Sequence, residues 1–212
     1  MVVSHLSFTG IISQMLFLPF FWLMEDPYIM KKSESTDVAL AEGLKSLMTR
    51  MPFEKITIRD ITDEASVIRT TFYNHFQDKY DLLDWIFYEY YIKPSNQLIE
   101  NNMLLEAFRL MIKNMEKDKD FFFRAARSNE NSLNDVMFRS YRDAVLKVVQ
   151  SVDMHLSEIN PFLTEKLFAE YYANNITFIV TKWIEMDMAI PSDDVVDLFQ
   201  KMTVSVVGGF LK

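Results

Sequence analysis

The stretch TIRDITDEASVIRTTFYNHFQDKYDLL, Thr57 to Leu83, leaves room for little but two short helices joined by a tight turn, then a third. Thr57 followed by Asp60 has the spacing of a capping box, in which a hydroxyl and a carboxylate satisfy N–H groups that a helix start leaves bare. Ile58, Ile61 and Ala65 then fall on one face. Ser66-Val67-Ile68 interrupts that run. From Arg69 to Phe76 a second helix puts Phe72 and Phe76 inward and leaves Arg69, Thr70, Tyr73 and Asn74 outward. Such an outer face suits the major groove, where these side chains reach phosphates and base edges. A solvated helix carries polar residues too, so the pattern alone leaves DNA binding and a plain surface helix both open.

The spacing of Thr71, Phe72, Tyr73, His75, Phe76, Lys79, Leu82 and Leu83 resembles the recognition helix and following helix of the TetR family of transcriptional regulators. Upstream, Ala39, Leu40, Leu44, Leu47 and Met48, then Phe53, Ile56, Thr57, Ile58 and Ile61, resemble the start of the same domain, so the likeness covers residues 36 to 90. PFEKITI together with RTTFYNHFQDKYDLLDWIFYEY is most similar to the branch that includes activators of dihydroxyacetone kinase operons. The resemblance implies a DNA-binding role for Thr57, Arg69, Thr70, Thr71, Tyr73, Asn74, His75 and Lys79. Tyr73 and Lys79 are expected on phosphates, with Arg69, Thr70 and Asn74 nearest the bases. Two positions depart from the family pattern: Ser66 stands where Gly is usual, and Ile68 where Ser or Thr is usual. Gly relieves a positive φ and a hydroxyl caps the next helix, which Ile68 cannot do.

A formal charge of −8 is at odds with nucleic-acid binding until it is divided along the chain. Residues 30–80 carry eight basic and eight acidic side chains, whereas residues 81–212 carry fourteen and twenty. A neutral segment still permits a basic docking face, here Lys31, Lys32, Arg59, Arg69 and Lys79. With 18 Phe and 14 Met against 4 Gly and 6 Pro, the composition favours helices around a large core over a turn-rich sheet protein. No cysteine is present, which removes disulfides, thiol catalysis and cysteine-based zinc sites.

Residues 1–29 form an apolar N-terminal extension, uncharged from Leu6 to Met24 and near the length of a membrane span. No basic residue precedes it, and Gly10 and Pro19 interrupt it, so it lacks the marks of a signal peptide. Three readings stay open: a start placed too early, with Met30 the true start; an extra helix packed on the body or on a partner; and a membrane anchor. The membrane anchor is the least favoured of the three: a membrane partner is not expected, and the expected location is cytoplasmic.

Beyond the reading head the chain reads as long amphipathic helices: Tyr80 to Ile92, broken at Pro94; Asn102 to Met115; Asp118 to Ala126; Leu133 to Ile159; Pro161 to Ala189; and Asp193 to about Val207. The 161–189 helix carries Leu167, Tyr171, Asn174, Asn175, Phe178 and Lys182 and is apolar on more than one face, while the last helix presents Val196, Phe199, Met202 and Val206. A helix apolar on two faces must bury both. The resemblance implies that these two helices make a four-helix bundle with a second copy, although core helices of a monomer also fit the pattern. It implies in addition an effector pocket among the central helices, for which Phe108, Met111, Met115, Phe122, Phe138, Tyr141, Tyr172 and Phe178 are candidates; the same residues also serve as ordinary core.

No catalytic constellation is expected. His5, His75 and His155 are far apart, four glycines cannot build a phosphate loop, and Asp193-Asp194 and Glu116-Asp118-Asp120 read as caps or solvated faces. No cofactor and no metal are expected. The expected fold is all-α, with residues 30–92 a helix-turn-helix domain and 93–212 a larger helical effector-binding and dimerisation domain. The expected partners are a double-stranded DNA operator, a second copy of the chain, and an unknown small-molecule or protein effector. An interaction module of the same fold without DNA binding is the alternative.

Overall fold

Leu40, Leu44, Leu47 and Met48 recur at helical spacing along α1 (Glu34–Met48) and are all buried, so this helix is held by one apolar stripe. The chain is a computed structural model that describes residues 34–127, 132–152 and 156–210, with side chains described to Met202. The expectations for residues 1–29, Lys31, Lys32, His155 and Val206 lie outside the described residues. Within them the protein is helical and contains no strand.

α1 crosses α2 (Ile58–Glu64) at Gly43, where an added Cβ would lie 3.3 Å from the Ile61 carbonyl oxygen and 3.5 Å from the Ala65 Cβ. The absence of a side chain permits that close approach. α3 (Arg69–His75) is clamped by Phe72 and Phe76, both buried, each contributing about 2 kcal/mol of apolar transfer. α4 (Lys79–Phe87) starts at Asp78, whose carboxylate accepts from the N–H groups of Tyr80 at 2.8 Å and Asp81 at 2.9 Å.

Pro94 does not end the helical course after α4, contrary to the sequence expectation. A π-helical turn, Tyr88–Ile92, widens the backbone and a 3-10 turn, Lys93–Ser95, follows with Pro94 near its start, where the missing N–H has no intrahelical role. The body then comprises α5 (Asn96–Glu100), α6 (Leu104–Lys117), α7 (Lys119–Ala126), α8 (Ser132–Val152), α9 (Leu156–Ile159), α10 (Glu165–Glu185) and α11 (Ser192–Phe210). α10 packs mainly on α8, and α11 on α6.

One apolar cluster runs from Leu40 in α1 through Ile86, Phe87 and Tyr91 to Phe122, Tyr141 and Phe199, so the reading head and the body share a core. Polar ties reinforce the junction. Asp118, expected as a cap or a solvated face, instead accepts from Lys45 Nζ of α1 at 3.0 Å and from the Tyr91 hydroxyl at 2.5 Å. Arg139 of α8 grips the Asp84 carboxylate of α4 at 2.6 and 2.9 Å. Glu116 holds the first turn of α11 through the Ser192 hydroxyl at 2.7 Å, and Asp193 meets Arg109 at 2.5 Å and Lys113 at 3.4 Å. The Arg109 bond holds the Asp193 carboxyl below its ordinary range.

Candidate nucleic-acid interface

The α2–turn–α3 unit is built from local chemistry. Thr57 is the N-cap of α2: its Oγ1 accepts from the Asp60 N–H at 3.2 Å, and the Asp60 carboxylate accepts from the Thr57 N–H at 2.8 Å and from its hydroxyl at 2.7 Å. These Thr57 bonds hold the Asp60 carboxyl below the ordinary value. α2 ends in a Schellman motif, with Val67 N–H donating to the Thr62 carbonyl and Ser66 N–H to the Asp63 carbonyl. Ser66 occupies the left-handed position of that motif at φ 55°. A non-glycine residue there is strained by about 1 kcal/mol. Ser66→Gly is therefore expected to stabilise the protein by about 0.5 kcal/mol after the unfolded-state entropy of glycine is deducted, and Ser66→Val to destabilise it by about 1 kcal/mol, as read by thermal melting.

α3 begins at Ile68, which supplies no side-chain cap, as its residue type dictates. On the helix Arg69, Thr70, Tyr73 and Asn74 are exposed, and Thr71 is half-buried. The Arg69 guanidinium donates to the Tyr73 hydroxyl at 3.0 Å and lies 5.5 Å from its ring centroid, so the two long side chains are fixed against each other. His75 is turned away from that face: its Nδ1 lies 2.6 Å from the Asp37 carboxylate of α1 and ties the end of α3 to the first helix.

Lys79 differs most from its expected place. Its ammonium donates to the carbonyls of Phe53 at 2.9 Å, Glu54 at 3.1 Å and Ile56 at 3.3 Å and sits 4.5 Å from the Phe53 ring centroid. It closes the 3-10 turn Phe53–Lys55 that leads into α2. Lys79→Met is expected to cost about 2 kcal/mol of stability, because three carbonyls lose a charged donor. If a phosphate held this ammonium, the same change would lower the salt slope of DNA binding by about one unit; the geometry predicts an unchanged slope. Exposed Lys55 and Arg59 flank the face; Arg59 has only a loose contact with Asp63 at 3.5 Å, worth little when both are exposed. Lys55, the last residue of the turn, went unread in the sequence, although its place two residues before the α2 cap was available there.

The eight candidate pocket residues are not brought together. Phe108, Met111 and Tyr141 line a cavity of about 50 Å³ whose other walls include Ser95, Ile99, Val145 and Ile176. Burial raises the Tyr141 phenol far above its ordinary pKa, and its hydroxyl reaches only the Met115 sulfur, at 3.8 Å. Met115 and Phe122 are buried core outside that wall, Phe122 with its ring 4.9 Å from Tyr91. Phe138 is half-buried beneath the Arg142 guanidinium, and Tyr172 stacks on Phe168 at 4.5 Å. Phe178 is 62 % exposed and so lines no interior pocket: it lies on the opposite side of α10 from the buried Ala173, Val180 and Ile184. Residue type suggested these eight; the helix face each occupies separates them.

Two family models match the chain. The model described as bacterial regulatory proteins, tetR family, matches residues 42–86, and that of a transcriptional regulator C-terminal region matches residues 102–205. The dhaKLM operon transcriptional activator DhaS of Lactococcus lactis subsp. lactis (strain IL1403), described as of helix-turn-helix type, is 30% identical over 93 residues, which is 44% of this chain and half of that protein's length. Among solved structures, the dihydroxyacetone kinase operon activator DhaS superposes with a TM-score of 0.53 at 21% identity, covering 81% of this chain and 97% of the other. The fatty acid degradation regulator FadR of Bacillus halodurans gives 0.54 at 14% identity, over 82% and 97%. These superpositions carry the fold, and the two family models, one over the helix-turn-helix and one over the body, carry the kinship: the chain belongs to the TetR family of transcriptional regulators.

Proposed function

We propose that the protein acts as a homodimer that reads a palindromic operator with α3 in the major groove, under the control of an effector. Residues 30–92 serve as the reading head, and residues 93–212 as the dimerising and effector-binding body. The observation that carries the reading is the outer face of α3, where Arg69, Thr70, Tyr73 and Asn74 stand exposed on a helix anchored by buried Phe72 and Phe76. Arg69 and Tyr73 suit phosphates and guanine edges, and Asn74 suits adenine. Lys55 and Arg59 extend the face towards the backbone.

Dimerisation is supported by a second face on α10. Tyr171, Asn174, Asn175, Phe178 and Lys182 are exposed along one side, with the apolar Leu198 and Met202 exposed on α11. Phe199, expected among the dimer contacts, is instead buried against Phe108, ring centroids 4.9 Å apart, so its substitution reports on protomer folding. Two copies joined by this face, aromatic and aliphatic side chains interleaved with polar ones, would place two reading heads on one duplex, as half-site recognition requires.

Effector control is supported by the apolar cavity and by the continuity of core between α4 and the body. At about 50 Å³ the cavity is far below the roughly 300–1,000 Å³ of a metabolite pocket, so a metabolite that binds there has to widen it on entry. A protein effector would act from outside.

Selection of bound sequences from random duplexes tests the function. An enriched palindrome whose affinity falls steeply with salt is expected. Failure to enrich any sequence, with a folded dimer in hand, would leave an interaction module of this fold as the better account. The cytoplasm, where an operator is reached, is the proposed location.

A further inference from the structure

Ile68 is 70 % exposed and sits directly before Arg69 on the reading face. Two costs coincide at this residue. Its backbone is in the extended cap conformation, φ −85° and ψ 153°, without a side-chain cap, where Ser, Thr, Asp or Asn would stabilise the helix by about 1 kcal/mol. It also presents a branched apolar side chain to water beside two exposed polar readers, Arg69 and Thr70. Single exposed apolar residues are ordinary on protein surfaces. This one stands where a polar group would cap the helix, at the N-terminal end by which a recognition helix meets base edges.

We propose that Ile68 contacts the C5-methyl group of a thymine in each operator half-site and so determines specificity at that base pair. The proposal rests on the DNA-reading function stated above. The thymine methyl is the apolar feature that the major groove offers, and it alone separates thymine from cytosine by hydrophobic contact. A β-branched side chain is stiff at χ1, so little rotamer freedom is lost on contact. The Arg69 guanidinium is held against Tyr73 at 3.0 Å, one turn along the helix, and the Ile68 side chain is itself 70 % exposed. The polar face thus positions and reads hydrogen-bonding edges, while Ile68 adds an apolar contact larger than the methyl of its neighbour Thr70.

The test uses the wild-type protein and the operator enriched from random duplexes. Each thymine of the half-site is replaced in turn by uracil, which removes only the methyl group. One position per half-site is expected to weaken binding about fourfold, and both together about fifteen-fold, the value of burying one methyl group twice. Ile68→Ala should be insensitive to uracil at that position, and Ile68→Val should keep the sensitivity. An enriched operator with no methyl-sensitive thymine, or one whose sensitivity survives in Ile68→Ala, overturns the assignment and leaves the regulator intact. Absence of any enriched sequence overturns the DNA-reading function itself, and this proposal with it.

Discussion

Asp118→Ala is expected to destabilise the protein by about 2–3 kcal/mol, a fall of roughly 5–10 °C in melting temperature for a chain of this size. A single carboxylate oxygen receives both Lys45 Nζ and the Tyr91 hydroxyl. The Lys45 side chain is only 13 % exposed, so removing Asp118 leaves an ammonium with restricted access to water and only the exposed Glu42 carboxylate, 3.8 Å away, as counter-charge. The rings of Tyr90 and Phe121, 4.9 and 5.9 Å away, continue to attract that charge, and the Asp118 side chain is itself one-third exposed. Both facts keep the loss below that of a fully buried pair. Burial first, and then the bond to Asp118, raise the Tyr91 phenol far above its ordinary pKa, so it stays a donor across the working pH range and is orphaned by the same substitution.

Asp118→Asn keeps an acceptor for Tyr91 and loses the counter-charge, so its melting point should fall between wild type and alanine. The double change Lys45→Met with Asp118→Leu removes the stranded charge and is expected to recover at least half of the loss. Equal melting points for Asp118→Ala and the double variant would show that the lysine left without Asp118 carries no penalty. Because the trio joins α1 of the reading head to the start of α7, hydrogen exchange in α1 is expected to quicken in Asp118→Ala before that in α8.

Lys45 and Asp118 are 73 residues apart, and nothing local marks them as partners. That distance explains what was and was not legible in the sequence. The Thr57–Asp60 box and the inward Phe72 and Phe76 involve residues within four positions of one another, where helical geometry fixes who meets whom. The departure at Ser66 was legible for the same reason, since the left-handed position of a helix end is set by its own turn. Lys79 was misplaced because its three carbonyl partners lie 23 to 26 residues away, in a turn whose position depends on packing. Phe178 and Phe199 were assigned by residue type. Their actual surroundings, one exposed and one against Phe108, depend on how α10 and α11 are rotated about their axes, which the two-faced apolar pattern of these helices leaves undetermined.

Phe178→Glu is expected to convert the protein into a monomer and to weaken operator binding by at least a hundredfold. Phe178 is 62 % exposed in the protomer, midway along the α10 face that includes Tyr171 and Lys182, so its substitution has little to disturb within one copy. A two-fold interface presents each side chain twice. Losing two phenyl contacts and placing two carboxylates within the interface sums to roughly 4 kcal/mol, or about a thousandfold in the dimer Kd. Lys182, whose Nζ lies 6.0 Å from the Phe178 ring centroid and 2.6 Å from Glu185, offers only partial compensation to the new carboxylate. Sedimentation of wild type and variant at micromolar concentration reads the association, and far-ultraviolet circular dichroism with thermal melting reads the fold of the protomer. A wild-type chain that sediments as a monomer, or a variant that stays dimeric with operator affinity unchanged, would remove α10 from the interface. A folded monomeric variant that keeps weak affinity for an isolated half-site is the expected result, because α3 and its anchors lie outside the α10 face.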